Sequence, residues 1–429
     1  MATASVLVDL RALAGSPREL WIVYLMKFLE SVGYFTMYTM LALFLTDDFS
    51  LSDEAAGGVT ATWTTAISIC VFVAGFIADA MGVRRALLVA ALSTAVGRLL
   101  IAFTPGLGGV YLALALGVWG VASMKPTMNG AIRGYAAPAA VAFAFSLYYV
   151  VMNLGSFAQG PIITNFREWF KGGVTVLGWQ FSSAQAIFLV GGACSTVNVL
   201  LALCLRESPP GAQPVPASAS RNPLSIAREV VSERTFWVFM AFVALLTMVR
   251  LIFQHAHLTW PKYALRSFGD DFAFAWYWSI NPAMVIVLAP FATALTRNLK
   301  PYPVIVFGSI ISALSVFAMA VSTTVAASVV FIVTLSIGEI LWSPRLYEYT
   351  ATIAPRGRES SYMGLSEVPM FLAKPFAGII SGYMLAIYCP AAGPRDPQTM
   401  WLLIGACTLA APVVMLFTRR WLEAPERSG

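Results

Sequence analysis

Residues 75–85 read GFIADAMGVRR, a short polar interruption between two long apolar runs. Asp79 follows Gly75 where the first run ends, Gly82 permits a tight turn, and Arg84 and Arg85 open the second run. A turn that merely carried basic residues accounts for Arg84 and Arg85 alone. The glycine, acid, glycine and arginine pair standing in register ask for more than that.

The flanking runs, near 53–80 and 83–104, are long enough to cross a hydrocarbon core, which takes about 20 apolar residues as helix. Ten further runs of this kind lie near 19–46, 108–133, 138–166, 183–205, 236–266, 273–297, 302–322, 324–350, 358–388 and 399–420. The whole chain agrees with them: it is 59% hydrophobic and only 11% charged, and its mean hydropathy is +0.76. Such values lie outside the soluble globular range and place the chain in a lipid bilayer. Several runs exceed the bilayer thickness and contain Gly or Pro, as tilted or kinked helices lining a cavity do.

Basic residues set the expected orientation. With the N-terminus cytoplasmic, 17 Lys and Arg fall on the cytoplasmic side and five on the far side, with five more inside spans. The positive-inside rule then puts both termini in the cytoplasm. It also explains the net charge of +6 as topology, so nucleic-acid binding need not be invoked. No cleavable signal peptide is evident, because residues 1–16 contain Asp9 and Arg11 and lack a long apolar core. The five Cys are scattered and odd in number, which suits neither a disulfide framework nor a metal site.

The longest polar interval, RESPPGAQPVPASASRNP at 206–223, separates the spans six and six. The expectation is an all-α membrane protein of twelve transmembrane helices, with an N-terminal six-helix bundle at 1–205, a cytoplasmic linker at 206–235 and a C-terminal six-helix bundle at 236–429. That is the organisation of many secondary transporters.

Charged residues inside spans cost at least roughly 2.5–3.5 kcal/mol each, so each is a candidate for function. The first span carries Lys27, Glu30 and Ser31, whose spacing puts them on one helix face. Lys125 precedes Pro126 on the fourth. Arg250, Gln254, His255 and His257 occupy the seventh, Glu339 the tenth, and Glu367 and Lys374 the eleventh. Lys374 and Glu367 also share a face and suit a pair that locks helices. Arg98 and Arg250 likewise suit pairing that locks helices, or snorkelling or capping of a neighbouring helix. His255 and His257 are two residues apart, on opposite sides of a helix, which argues against a shared metal; one of them is a candidate to titrate near neutral pH.

Four stretches carry a resemblance. The loop at 75–85 resembles the cytoplasmic loop motif of the major facilitator superfamily, in which the acid and the basic residues latch helix ends in one conformational state; Asp79, Arg84 and Arg85 are the residues implied, and Ala80 departs from the motif's basic residue. Within that superfamily, FSLYYVVMNLGSF is similar to the F-x-x-x-Y-x-x-x-N-x-G-S signature of the proton-coupled oligopeptide transporters through Phe145, Tyr149, Asn153, Gly155 and Ser156. GEILWSPRLYEYTATIAP resembles the same family through Gly338, Glu339, Ser343, Pro344, Ala354 and Pro355, and MKPTMNG through Lys125 and Pro126. SINPAMVIVLAP is a weaker match. The first span departs: the family's E-x-x-E-R reads Lys27, Glu30, Ser31 here, followed by Tyr34 and Phe35, so only the second acid remains.

The resemblance implies a secondary active transporter working by alternating access, with no cofactor beyond the proton gradient. Its substrate would be a small peptide or related zwitterionic or anionic molecule, met at Lys27, Tyr34, Lys125, Asn153, Trp342 and Glu339, with proton coupling at Glu30, Glu339 or His255. Lys27, Glu30 and Lys125 together sum to one positive charge, which an anion or carboxylate relieves, while Glu339 is placed to take an amine. Two six-helix bundles can work as a monomer, with the lipid bilayer as the other partner. The altered first span keeps open an organic-anion or metabolite carrier, including a uniporter. A non-transporting receptor of the same fold is disfavoured by the short loops. An enzyme is not expected, since no nucleophile elbow, metal spacing or nucleotide-binding loop occurs.

Overall fold

In a computed structural model of the protein, the described residues are 13, 15–136, 141–176, 178–206, 232, 234–296, 299–353 and 368–422. Long helices dominate: α1 (Arg18–Asp47), α2 (Asp53–Met81), α3 (Val83–Phe103), α4 (Leu107–Tyr135), α5 (Val141–Trp169), α6 (Ser183–Leu203), α7 (Arg234–Phe268), α8 (Phe274–Trp278), α9 (Ile280–Thr296), α10 (Pro301–Ser315), α11 (Phe317–Val321), α12 (Val325–Ile353), α13 (Val368–Tyr388), α14 (Pro397–Phe417) and α15 (Arg419–Leu422). Among the described residues, eight helical stretches are long and apolar enough to cross a membrane: α1, α3, α4, α6, α7, α10 continued through α11, α12 and α14. The runs expected at 53–80, 138–166, 273–297 and 358–388 fall on α2, α5, α8 with α9, and α13.

One departure from an all-helical chain is a hairpin of β1 (Val174–Val176) and β2 (Trp179–Phe181), paired antiparallel with Val174 opposite Phe181 and Val176 opposite Trp179. Its β-branched and aromatic residues favour extended backbone, and Gly178 takes the positive φ of 83° that the turn needs.

The chain forms two compact units, Met1–Ser50 with Thr65–Ser220, and Leu51–Thr64 with Arg221–Gly429. α2 is thus divided, its first part belonging to the second unit. Within the first unit α3 packs on α4 and α6, while α1 packs on α5 and α6. α1 is the most enclosed: 78% of its apolar window is buried, against 44–56% in the other seven. Trp21 and Leu25 near its start are exposed, while Lys27, Glu30 and Ser31 are buried against protein. At 30 residues it is about 45 Å long, more than a roughly 30 Å core requires.

Close helix approach comes from small residues, as lipid-embedded packing demands. Gly97 on α3 lies against Gly117 and Ala113 on α4, where an added Cβ would sit 2.8 Å from the Ala113 carbonyl oxygen. In the second unit α10 packs on α12, α9 on α12, and α7 on α13 and α14. Proline interrupts the ladders of α4, α5, α7, α12, α13 and α14.

Candidate functional site

On the first unit the central feature is a buried ion pair. Arg98 of α3 donates from Nη1 to Glu30 Oε2 at 2.9 Å and from Nη2 to Glu30 Oε1 at 2.8 Å. Nη1 also donates to Ser195 Oγ of α6 at 2.6 Å. Both charged residues are buried, so the two-point geometry operates in a low dielectric and fixes three helices at once. The guanidinium crosses α1 at Gly33, where a Cβ would lie 2.6 Å from Nη1. Arg98 is thus a helix-locking partner and not a snorkelling residue, and it couples to Glu30 with both carboxylate oxygens engaged.

Around this pair, Lys27 Nζ lies over the Tyr148 ring, 5.1 Å from its centroid. Tyr34 stacks on Tyr38 at 5.7 Å and meets Phe35 edge-on. Asn153 is buried and turns its amide back to the Tyr149 carbonyl of its own helix at 2.9 Å. Gly155 has a packing reason: a Cβ there would come within 2.5 Å of Ser31 Cβ, so the glycine lets α5 reach α1. Thr39 Oγ1 then donates to Gln159 Oε1 across the same contact at 2.9 Å. Lys125 is half-buried on α4 before Pro126.

At the cytoplasmic-loop motif, Arg84 Nη2 donates to the Leu203 carbonyl oxygen at 3.1 Å, the last residue of α6. A cation there satisfies an orphan carbonyl and opposes the negative end of the helix dipole. Arg85 is exposed. The side chains of Asp79, Phe145 and Pro290, the residues Glu367, Ala354 and Pro355, and nearly all of the 206–235 interval lie outside the described set.

On the second unit, Glu339 of α12 is half-buried and accepts at Oε2 from Asn281 Nδ2 of α9 at 2.9 Å; the same amide donates to Ser336 Oγ at 3.0 Å. Trp342, one turn on, has no exposed surface. Its indole N–H donates to Ser312 Oγ at 3.3 Å, Phe253 meets it edge-on, and the Arg250 guanidinium lies over its ring at 4.5 Å. The expected pocket wall is thus, in this structure, a covered platform. His255 is buried, with Nδ1 2.7 Å from Thr259 Oγ1, which donates to Ser381 Oγ of α13 at 2.8 Å. His257 packs edge-on against Trp278.

A second charge cluster escaped the sequence reading. Asp53, opening α2, accepts from Lys262 Nζ at 2.7 Å and from Arg266 at 2.8 and 2.9 Å. Lys262 and Arg266 are two of the five basic residues assigned to the far side; both lie on α7, and Lys262 is buried. Their i, i+4 spacing on one helix face was the available signal.

A bundle of long membrane helices with opposed charges buried inside it is the make-up of a multi-pass membrane transporter. The sequence model of the Major Facilitator Superfamily matches residues 23–373, and the chain belongs to that superfamily. The chain is 25% identical over 194 residues to the multidrug resistance protein MdtH of Yersinia enterocolitica, covering 44% of this chain and 48% of that one. It is 22% identical over 330 residues to the uncharacterized MFS-type transporter YqjV of Bacillus subtilis, covering 76% of each. The match spans about half the length of the MdtH proteins. Among solved structures, a POT family transporter in complex with 5-aminolevulinic acid superposes with a TM-score of 0.75 at 15% identity, over 95% of this chain and 97% of that one. A peptide transporter POT in complex with sulfate gives 0.73 at 17% identity, over 95% of each. These likenesses establish the fold.

Proposed function

We propose that the protein is a proton-coupled symporter of small peptides or related zwitterions, working by alternating access as a monomer. It would have twelve spans in two six-helix bundles at 1–205 and 236–429, a cytoplasmic linker at 206–235 and both termini in the cytoplasm. The observation that carries this is Glu339: a half-buried carboxylate within a membrane helix, held by the neutral amide of Asn281. A carboxylate within a membrane helix changes its protonation state with its surroundings, so Glu339 can exchange a proton for a substrate ammonium. Each protonation state then favours a different conformation, which is the requirement for coupling. Glu30, whose oxygens are both taken by Arg98, serves as a structural pin in this scheme, leaving coupling to Glu339. The fold supports the reading, since its solved neighbours include transporters bound to a peptide conjugate and to 5-aminolevulinic acid.

The deciding experiment is uptake of labelled di- and tripeptides and of a labelled ω-amino acid into proteoliposomes, with and without an inward proton gradient. Accumulation driven by the gradient is expected. Uptake indifferent to the gradient would favour the organic-anion or metabolite uniporter, which the loss of the first-span acid also suits. No uptake of any zwitterion by folded protein would overturn the proposal.

A further inference from the structure

We infer that Arg250 is an oxyanion-recognition site on the second unit, set for the carboxylate, phosphonate or sulfonate group of a small solute. The residue stands at the middle of α7, about 25 Å from either end of that helix at 1.5 Å per residue. A guanidinium at this depth costs free energy unless something offsets its charge. Arg98 shows how this fold does so when the purpose is structural: both Glu30 oxygens and a serine hydroxyl receive its terminal nitrogens. Arg250 is treated otherwise. No carboxylate among the described residues pairs with it, and its Nε, like that of Arg98, has no hydrogen-bond acceptor there.

What holds Arg250 is the face of Trp342, 4.5 Å away. The platform is itself fixed: Ser312 accepts from the indole, and Gly308 lets α10 close on the Trp342 backbone, where an added Cβ would lie 2.9 Å from the backbone nitrogen. A cation held over an aromatic face is stabilised without engaging its N–H groups, which stay able to meet an oxyanion at two points. The residue is partly exposed, although its Nε is buried. Glu339 precedes Trp342 by one helical turn and accepts from Asn281 at 2.9 Å.

The inference rests on the transport reading only for the claim that a small solute reaches the site. Its test is calorimetric binding to the purified full chain in detergent, using sodium sulfate, sodium acetylglycinate and, as the cationic comparison, glycinamide. Sulfate and acetylglycinate should bind the wild type. Arg250→Gln should weaken both by at least about tenfold, the worth of one charge-assisted contact. Arg250→Lys should recover only part, because an ammonium lacks the two-point fork, and Trp342→Phe should weaken anion binding while leaving the charge in place. The exposed Arg420→Gln should bind as the wild type does. Thermal unfolding of each variant identifies the folded ones, and Arg250→Lys and Trp342→Phe carry the test where Arg250→Gln does not fold. Wild-type anion affinity in folded Arg250 variants, or no anion binding by folded wild type, overturns the inference. Arg250-dependent anion binding without peptide uptake would leave it standing and remove peptide symport instead.

Discussion

Arg98 holds Glu30 through two parallel hydrogen bonds, 2.9 and 2.8 Å long, across 68 residues of sequence. The pair is buried, so its desolvation has already been met and either partner alone would be a stranded charge. Glu30→Gln and Arg98→Gln should each lower stability by about 3–5 kcal/mol, while Glu30→Leu with Arg98→Met should cost much less than either. Thermal unfolding of the four proteins in detergent checks this. A mild Glu30→Gln variant would mean that the carboxylate does not pin the three helices.

Gly155 admits α5 to α1, and the space for a side chain is absent there: Ser31 Cβ and the Phe28 carbonyl oxygen lie 2.5 and 2.9 Å from where a Cβ would stand. Gly155→Ala should therefore destabilise by about 1–3 kcal/mol as an overpacked contact. Gly58→Ala is the comparison, since nothing lies within 4 Å of that site; there alanine's better helix propensity should leave stability equal or raised by up to about 1 kcal/mol.

Asp53 pairs with two α7 cations at once, and the three side chains are largely covered. Asp53→Asn removes the carboxylate that both Lys262 and Arg266 contact and should cost about 3 kcal/mol or more. Asp53→Asn combined with Lys262→Met should recover part of that loss. Unfolding temperatures of the single and double variants measure it.

Much of this fold was legible from apolar run length alone, because a bilayer imposes a minimum span and excludes unpaired backbone. The small-residue signature on α5 was also legible, and Gly155 has a direct steric reason. Partners were not. Lys27, Glu30 and Ser31 share a helix face, which suggested a local cluster, but Glu30 turns to an arginine on α3 that local spacing cannot predict. Trp342 looked like a pocket wall because an aromatic beside Glu339 fits a ligand site; its burial depends on Ser312 and Gly308 of α10, a different helix. Lys262 and Arg266 were read by sidedness, since nothing local to α7 reveals that an acid at the start of α2 meets them.

Asp396 caps α14 outside the membrane-spanning segment, accepting from the Thr399 backbone N–H at 3.1 Å. The side-chain hydrogen bond from Thr399, together with this backbone one, favours the charged form and holds the carboxyl below its ordinary value of 3.8. A depressed folded value means that the cap's charge contributes above the unfolded value and is lost as pH falls through the folded one. Asp396→Asn, which keeps a capping oxygen, should match the wild type less closely at pH 7 than at pH 3. Unfolding midpoints at those two pH values test it; an equal difference at both would remove the charge from the account.

Glu339 is where coupling should be visible in function. With Asn281 as a neutral donor, Glu339→Gln preserves shape and hydrogen bonding but fixes the site in a neutral form that resembles the protonated acid. The variant should fold as the wild type does, and exchange of internal for external substrate, which needs no net proton movement, should persist. Accumulation driven by a proton gradient should fall by at least about tenfold, as expected when a positioned proton-transfer group is lost. Asn281→Leu should act in the milder direction, since the carboxylate stays but loses its orienting amide. Measuring exchange and gradient-driven uptake on the same proteoliposomes separates the two effects. Loss of both together would make Glu339 a substrate contact without a coupling role, and retention of both would place the proton elsewhere, with the buried His255–Thr259–Ser381 chain the next candidate to alter.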